Sequence, residues 1–317
     1  MKVQALFVSL LFAAASHAES ALAIPGFLPQ DTKVVIGVQV RALVASPISK
    51  AFVAGMSSNV NAADLLKLTA AMGFNPLSDV DDVLIATSGK GENPPALVVA
   101  HGRFDRLQAP GGAMYHGVEM HTAGSKKDSA WAVLDPSTAV AGDPALVRRA
   151  IDRRTTAPQL DPAVMTILNA LRTQYDIWGY GQLNAASMPA AAKQQGLDAI
   201  DRFQFGVNVS SGLQLSATLH MRSSEDGQKL AAGARMLEAM VKSQQPSMQG
   251  AQFEIHAENE TVKVALSISQ EEMNKAIEAR LHPESATARA QASPKPAGIQ
   301  KHENGDAQVL TLPGAKQ

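Results

Sequence analysis

Apolar positions along the chain fall at two spacings, and each predicts one kind of element. Short apolar and β-branched runs predict strands at 33–40, 83–88, 96–102, 117–122, 129–134 and 138–141. The second and third of these flank SGKGENPP, whose glycines, asparagine and prolines are those of a hairpin turn. Ser46-Pro47, Asp143-Pro144 and Asp161-Pro162 each place an N-cap residue before a proline at the first helical position, where the missing N–H costs nothing. After Asp143, Leu146, Ala150 and Ile151 fall on one side of a helix; after Asp161, Val164, Ile167, Leu168 and Leu171 form a stripe. Leu65, Leu68 and Met72 recur at helical spacing before Gly73, a stop signal, and predict a further helix.

From Ile177 the same order of elements returns, and short words return with it. VRRAIDRR at Val147 reappears as MNKAIEAR at Met273, VQVRALVASP at Val38 as GQLNAASMP at Gly181, HGR at His101 as HMR at His220, and YHGVEM at Tyr115 as MQGAQF at Met248. The separations are unequal: 143 from Gln39 to Gln182, 119 from His101 to His220, 133 from Gly117 to Gly250 and 126 from Ala150 to Ala276. A diverged duplication with insertions fits this better than a short-period solenoid. One insertion, SEDGQKLAAGARMLEAMVKS, predicts a helix with Leu230, Ala234, Leu237 and Val241 on one face.

The ends differ in character from this body. Lys2, an apolar run from Val3 to Ala15 and then Ser16-His17-Ala18 have the form of a secretory signal peptide, residues 1–18, cleaved after Ala18. Such a run is too short to cross about 30 Å of hydrocarbon, and no later run in the chain is apolar for long enough. Residues 282–317 are rich in Pro, Ala, Ser and Gln and lack periodicity, so disorder is expected there, with VLTLP at Val309 able to add a short strand to an exposed edge. The expected organisation is a first unit at 25–175, including a connecting helix, and a second at 176–281. The expected fold class is α+β, two diverged repeats of mainly antiparallel sheet with helices packed on one face.

Composition narrows the functional classes. With 45% hydrophobic residues in 317, the chain can bury a substantial core. A net charge of -1 without long runs of like charge points away from nucleic acid and acidic membrane surfaces. Aromatics at 4% weigh against base-stacking platforms and sugar shelves. The cysteine count of 0 excludes disulfides, thiol catalysis and a lipobox anchor.

The start LPQDT leading into a strand, and the passage YHGVEMHTAGSKKDSAWAVLDPSTAVAGDPALVRRAID, resemble a group of bacterial exported proteins of unknown function. In that group an LP-x-DT start follows the signal peptide, and a Y-x-G strand, a strand ending near Asp and a V-x-G segment lead into a short helix. The resemblance spans roughly residues 25 to 281 and implies repeated sheet-and-helix units without an established enzymatic motif. This chain departs from many such proteins in having no lipobox cysteine.

Candidate chemistry is sparse. His101, His116, His121, His220 and His256 are the histidines within the expected units, but no H-x-x-x-H helix or H-E-x-x-H motif links them, and no metal or cofactor is expected. His116 and His121 are an odd number apart on a predicted strand and would face opposite ways; His101 and His220 are repeat partners; His121 and His256 meet only if their strands are neighbours. SDVDD at Ser78 reads as a solvated turn, since the spacing of a calcium loop is absent. SGKGENPP lacks the P-loop pattern and leads into a strand, and G-x-S-x-G and S-x-x-K are missing, so any hydrolase site would be dispersed. Arg148, Arg149, Arg153 and Arg154 suit a helix C-terminus. Met72, Met236, Met240 and Met273 pack a core or line a flexible apolar cavity.

The expectation is a soluble, exported, non-catalytic binding or scaffold protein of the bacterial envelope, with a protein partner or a lipophilic ligand. The alternatives are a carrier holding a lipophilic molecule between sheet and helices, and a hydrolase with a dispersed site.

Overall fold

Twelve strands form one sheet in the computed structural model, in the order β11-β12-β10-β9-β8-β1-β2-β3-β7-β6-β5-β4. The strands are β1 (Val34–Gln39), β2 (Val80–Thr87), β3 (Ala96–Gly102), β4 (Ala113–Tyr115), β5 (Val118–Ala123), β6 (Ser129–Asp135), β7 (Thr138–Gly142), β8 (Ile177–Gln182), β9 (Ile200–Asn208), β10 (Gly212–Met221), β11 (Gln252–Glu258) and β12 (Thr261–Ser269). Every ladder between them is antiparallel. Among the described residues the α-helices are α1 (Val40–Ala45), α2 (Pro76–Asp79), α3 (Pro144–Asp152), α4 (Pro162–Gln174), α5 (Ser224–Gln244) and α6 (Gln270–Leu281). The structure describes residues 27–47, 74–89, 94–107, 111–123, 128–155, 160–188, 196–244 and 250–281, with isolated positions between them. The expected helix around Leu65, the signal peptide and the tail lie outside these residues.

Two helices start as their sequences dictate. Asp143 accepts the N–H groups of Ala145 and Leu146, and Asp161 accepts that of Ala163, each with proline next in the chain. Their apolar sides, Val147, Ala150 and Ile151 on α3 and Leu168 and Leu171 on α4, join Val35, Leu84, Leu97, Val99, Val140, Trp178 and Tyr180 in the main core. Val40 of α1 packs instead with Val80, Val83 and Ala100, the alternate residues of the same strands. Ala231 and Leu230 of α5 pack with Phe203, Leu219 and Val262, again on the side away from α4. Helices therefore cover both faces, not one. The reason lies in the strands: β2 and β3 are apolar on both sides, so one helical layer cannot bury them. Another local departure is at Val40, which opens α1 where a strand end was expected; Ser46 closes α1 by donating its hydroxyl to Leu43 O at 2.5 Å, and the helix expected after Ser46-Pro47 lies outside the described residues. In α5, Leu230 and Ala234 are half-buried while Leu237 is exposed, so the expected stripe is covered only near the helix start.

The two halves meet at β1 and β8, paired with Ile36 opposite Gly179 and Gly37 opposite Trp178. Gly37 is required here: a Cβ would run into the Trp178 indole, which is buried against it. Outward from this seam the order is β1-β2-β3-β7-β6 on one side and β8-β9-β10-β12-β11 on the other, with β5 and β4 extending the first. Details agree as well. Val80 pairs Gly102 and Asp82 pairs His101, leaving Asp81 as an extra residue; Ile200 pairs Met221 and Arg202 pairs His220, leaving Asp201. Gly102 N–H donates to Ser137 O at 2.9 Å and Met221 N–H to Glu260 O at 2.7 Å, each reaching the turn of the last hairpin of its half. Arg103 N–H donates to Asp79 O and Arg222 N–H to Ala199 O, at 2.6 and 2.8 Å.

Candidate functional site

Register places two rows of side chains across the sheet. In the first half Gln39 stands opposite Asp82, Asp82 opposite His101 and His101 opposite Thr138. In the second, Gln182 stands opposite Arg202, Arg202 opposite His220 and His220 opposite Thr261. Directly opposed residues share a face, so each row is a line of neighbours. The rows carry the same residue types except at one position, where an aspartate in one stands for an arginine in the other.

The first row is closed. Gln39 Nε2 donates to Arg172 O at 2.9 Å and to Tyr175 O at 3.0 Å, which pins it to the end of α4. Burial pushes the Asp82 carboxyl above the usual aspartate range, and the neighbouring Arg172, His101 and Arg41 charges only partly offset this. Asp81 pairs with Arg41, and His101 Nδ1 lies 4.0 Å from Asp81 with its ring only 15% exposed. That nitrogen is buried without a hydrogen-bond partner. The reading of SDVDD as a solvated turn fails at this point. The turn ends with α2 at Asp79, and Asp81 and Asp82 belong to β2, held by cations brought from α1 and α4.

The second row is open. Gln182 and Arg202 line a cleft of about 450 Å³ with Lys33, Ser88, Gly89, Asn184 and Asp201. Lys33 Nζ reaches Gln182 Oε1 at 3.5 Å, and Gln182 Nε2 donates to the Tyr180 hydroxyl at 3.0 Å. Asp201 is engaged by Arg222, Nη1 to Oδ1 at 3.2 Å. Arg202 Nε is buried and has no hydrogen-bond partner. Two cations thus border a concave, water-accessible space whose carboxylate is held by a third.

The remaining histidines are dispersed. His116 is not on a strand but in the β4–β5 turn at φ 46, stacked on Tyr115, with Nδ1 2.7 Å from Asp152. His121 on β5 stacks on Trp131 at 4.1 Å. His256 lies on β11, at the far side of the sheet from β5, so His121 and His256 are not neighbours. His220 Nδ1 is 3.4 Å from the Thr261 hydroxyl, and His101 and His220 occupy matching places in the two rows. Among the described residues no group of three or more His, Asp or Glu is placed to hold a metal. Arg154 donates to Ile151 O and His116 O, tying the arginine-rich helix end to the β4–β5 turn. Met236 is 75% exposed and Met240 is exposed too, whereas Met273 is buried.

Lys33 and Arg202 were not legible as site residues, because lone basic residues in strands carry no motif. Setting HGR against HMR and reading back along the neighbouring strand from each would have aligned Asp82 with Arg202.

No family model matches the chain, and no curated protein matches it. Among solved structures, that of crystal form I of a protein named TP0453 is similar at 12% identity and a TM-score of 0.48, over 82% of this chain and 99% of that one.

Proposed function

We propose that the protein is an exported, non-catalytic binding protein of the bacterial envelope, built from two diverged copies of one sheet-and-helix unit, whose second copy holds a ligand in the cleft beside Arg202. Three of the four recurring words support the duplication. Gln39 and Gln182 end β1 and β8, His101 and His220 precede the last residue of β3 and β10, and Ala150 and Ala276 lie on α3 and α6, which follow β7 and β12. The extra residues Asp81 and Asp201 add to it, since a bulge recurring at one place in both halves is a feature of inheritance. Gly117 and Gly250 do not contribute, because they precede β5 and β11, while by sheet order the counterpart of β11 is β6.

The observation that carries the binding reading is that equivalent rows are closed in one half and open in the other. Protein groups cover Gln39 and surround Asp82; around Gln182 and Arg202 there is space. Copies released from identical duties diverge in this way when one keeps the fold and the other takes up a ligand. Export rests on the signal-like start, residues 1–18. Among the described residues no helix is long and apolar enough to cross a membrane, which says nothing of strands.

The test is the native mass of residues 19–317 purified from the protein's own cell envelope, compared with the mass after denaturation. A chain starting at Glu19 that releases a small molecule supports both parts. An uncleaved chain contradicts export, and a mass unchanged by denaturation contradicts the cleft as a ligand site.

A further inference from the structure

The two rows differ in charge as well as in openness, and the difference identifies the ligand's chemistry. In the first half the acid Asp82 is answered from within the chain by Arg172 on α4 and Arg41 on α1. At the places matching in the second half, the acid is replaced by Arg202, and Arg41 by Asn184, two residues past Gln182 as Arg41 is two past Gln39. The residue before the strand changes sign too. Gln39 N–H donates to Asp176 O at 2.7 Å, and Gln182 N–H donates to Lys33 O at 2.9 Å, so Asp176 and Lys33 are counterparts. Asp176 turns its carboxylate to Val209 N–H at 2.8 Å, whereas Lys33 lines the cleft.

The second row thus meets a base where the first meets an acid at two matched positions, Arg202 for Asp82 and Lys33 for Asp176, without acquiring the counter-charge that balances the first. Asp201 does not provide it, being engaged by Arg222. Arg202 lines the cleft, and among the described residues no carboxylate pairs with it, so its charge is left for an anion to balance. A planar carboxylate suits a guanidinium fork, and Lys33 adds a second, more mobile cation. Resting on the binding reading above, we propose that the cleft takes a small carboxylic acid. One carboxylate is held by Arg202 and screened by Lys33, and Ser88, Asn184 and the Gln182 amide border the rest of the molecule. A cleft of about 450 Å³ suits an organic acid or a short peptide end.

The experiment is calorimetric titration and thermal unfolding of the mature protein with succinate and citrate, with the neutral succinamide and inorganic phosphate as comparison probes. Succinate or citrate is expected to bind and to raise the unfolding temperature. Arg202→Gln is expected to weaken that binding roughly tenfold or more, and Lys33→Gln by a smaller factor, while Lys229→Gln on α5 leaves it unchanged. Without ligand, Arg202→Gln is expected to unfold at or above the wild-type temperature, because it removes a half-buried charge that no carboxylate among the described residues balances. Lys33 is exposed, so its variant reads binding even if Arg202→Gln fails to fold. Any of these results overturns the proposal: no binding of succinate or citrate at millimolar concentration, carboxylate binding indifferent to both substitutions, or phosphate bound in preference to either acid. Succinamide binding as well as succinate also overturns it, yet leaves the cleft standing as a ligand site. A native mass without ligand removes that broader reading instead.

Discussion

The halves of this sheet share a strand order, a bulge and a row of side chains, yet one half is sealed where the other is hollow. In the sealed half an aspartate sits under α4 with arginines drawn in from two helices; in the hollow half an arginine and a lysine face a cleft. The lesson is that register is held more tightly than the charge of a single residue. Cross-strand register is fixed by backbone hydrogen bonds and by the two-residue period of the sheet, so a slip would turn a whole strand inside out. The identity of one polar residue in a row is free to change once its cover changes.

The comparison can be broken first at the seam. Trp178 is 2% exposed and packs on Gly37, so Trp178→Ala is expected to cost about 3–5 kcal/mol in a denaturant titration. A much smaller loss would mean that the halves are held together elsewhere. A second substitution tests whether matched backbone has matched tolerance. A Cβ on Gly102 would press on Asp79 O and come within 2.8 Å of Val80 Cα, both backbone atoms that cannot swing aside. Its counterpart Met221 carries a full side chain in the core of the second half. Gly102→Ala is therefore expected to cost about 1–3 kcal/mol by overpacking, and Met221→Ala about 2–5 kcal/mol by cavity formation. Opposite directions of size change, both destabilising, would show that each half is packed closely around its own residue.

Asp82 gives the first row a pH signature. Its carboxyl is held above the usual range by burial, so the folded state keeps this proton to a higher pH than the unfolded chain. The group's stabilising contribution is then fully present below about pH 4 and is lost as pH rises through the raised value. Asp82→Asn is expected to flatten that decline and to leave the protein more stable than wild type above it, as read by denaturant midpoints between pH 4 and 8. Parallel curves for the two proteins would place Asp82 in contact with water. The smallest effect concerns the matched arginines. Arg222 donates to Leu183 O, Ile200 O and Asp198 O, while Arg103 donates to Ser78 O and to Asp79. Arg222→Ala is expected to cost about 1–2 kcal/mol and Arg103→Ala about half that, by the same titration.

Much of this architecture was legible because its signals are local. Asp143-Pro144 and Asp161-Pro162 specify their helices through a cap and a fixed φ, and the strands from Ala96 onward show as apolar runs. The recurrence of HGR as HMR even pointed to the row positions. What stayed hidden depends on partners distant in sequence. SDVDD looks like a turn because nothing near it announces that Arg41 and Arg172 will neutralise it. Likewise α1 begins at Val40, in a run that reads as strand, because Val40 finds an apolar face on β2 that only the folded sheet provides. Arg202 acquires meaning only beside Gln182 and Lys33, which register brings to it from 20 and more residues away.

The measurement that bears most directly on the account is the native mass of wild-type and Arg202→Gln proteins, each purified from the cells that make it and compared before and after denaturation. The account predicts a small acidic molecule released from the wild type and missing from the variant. The same molecule on both, or none on either, would contradict it.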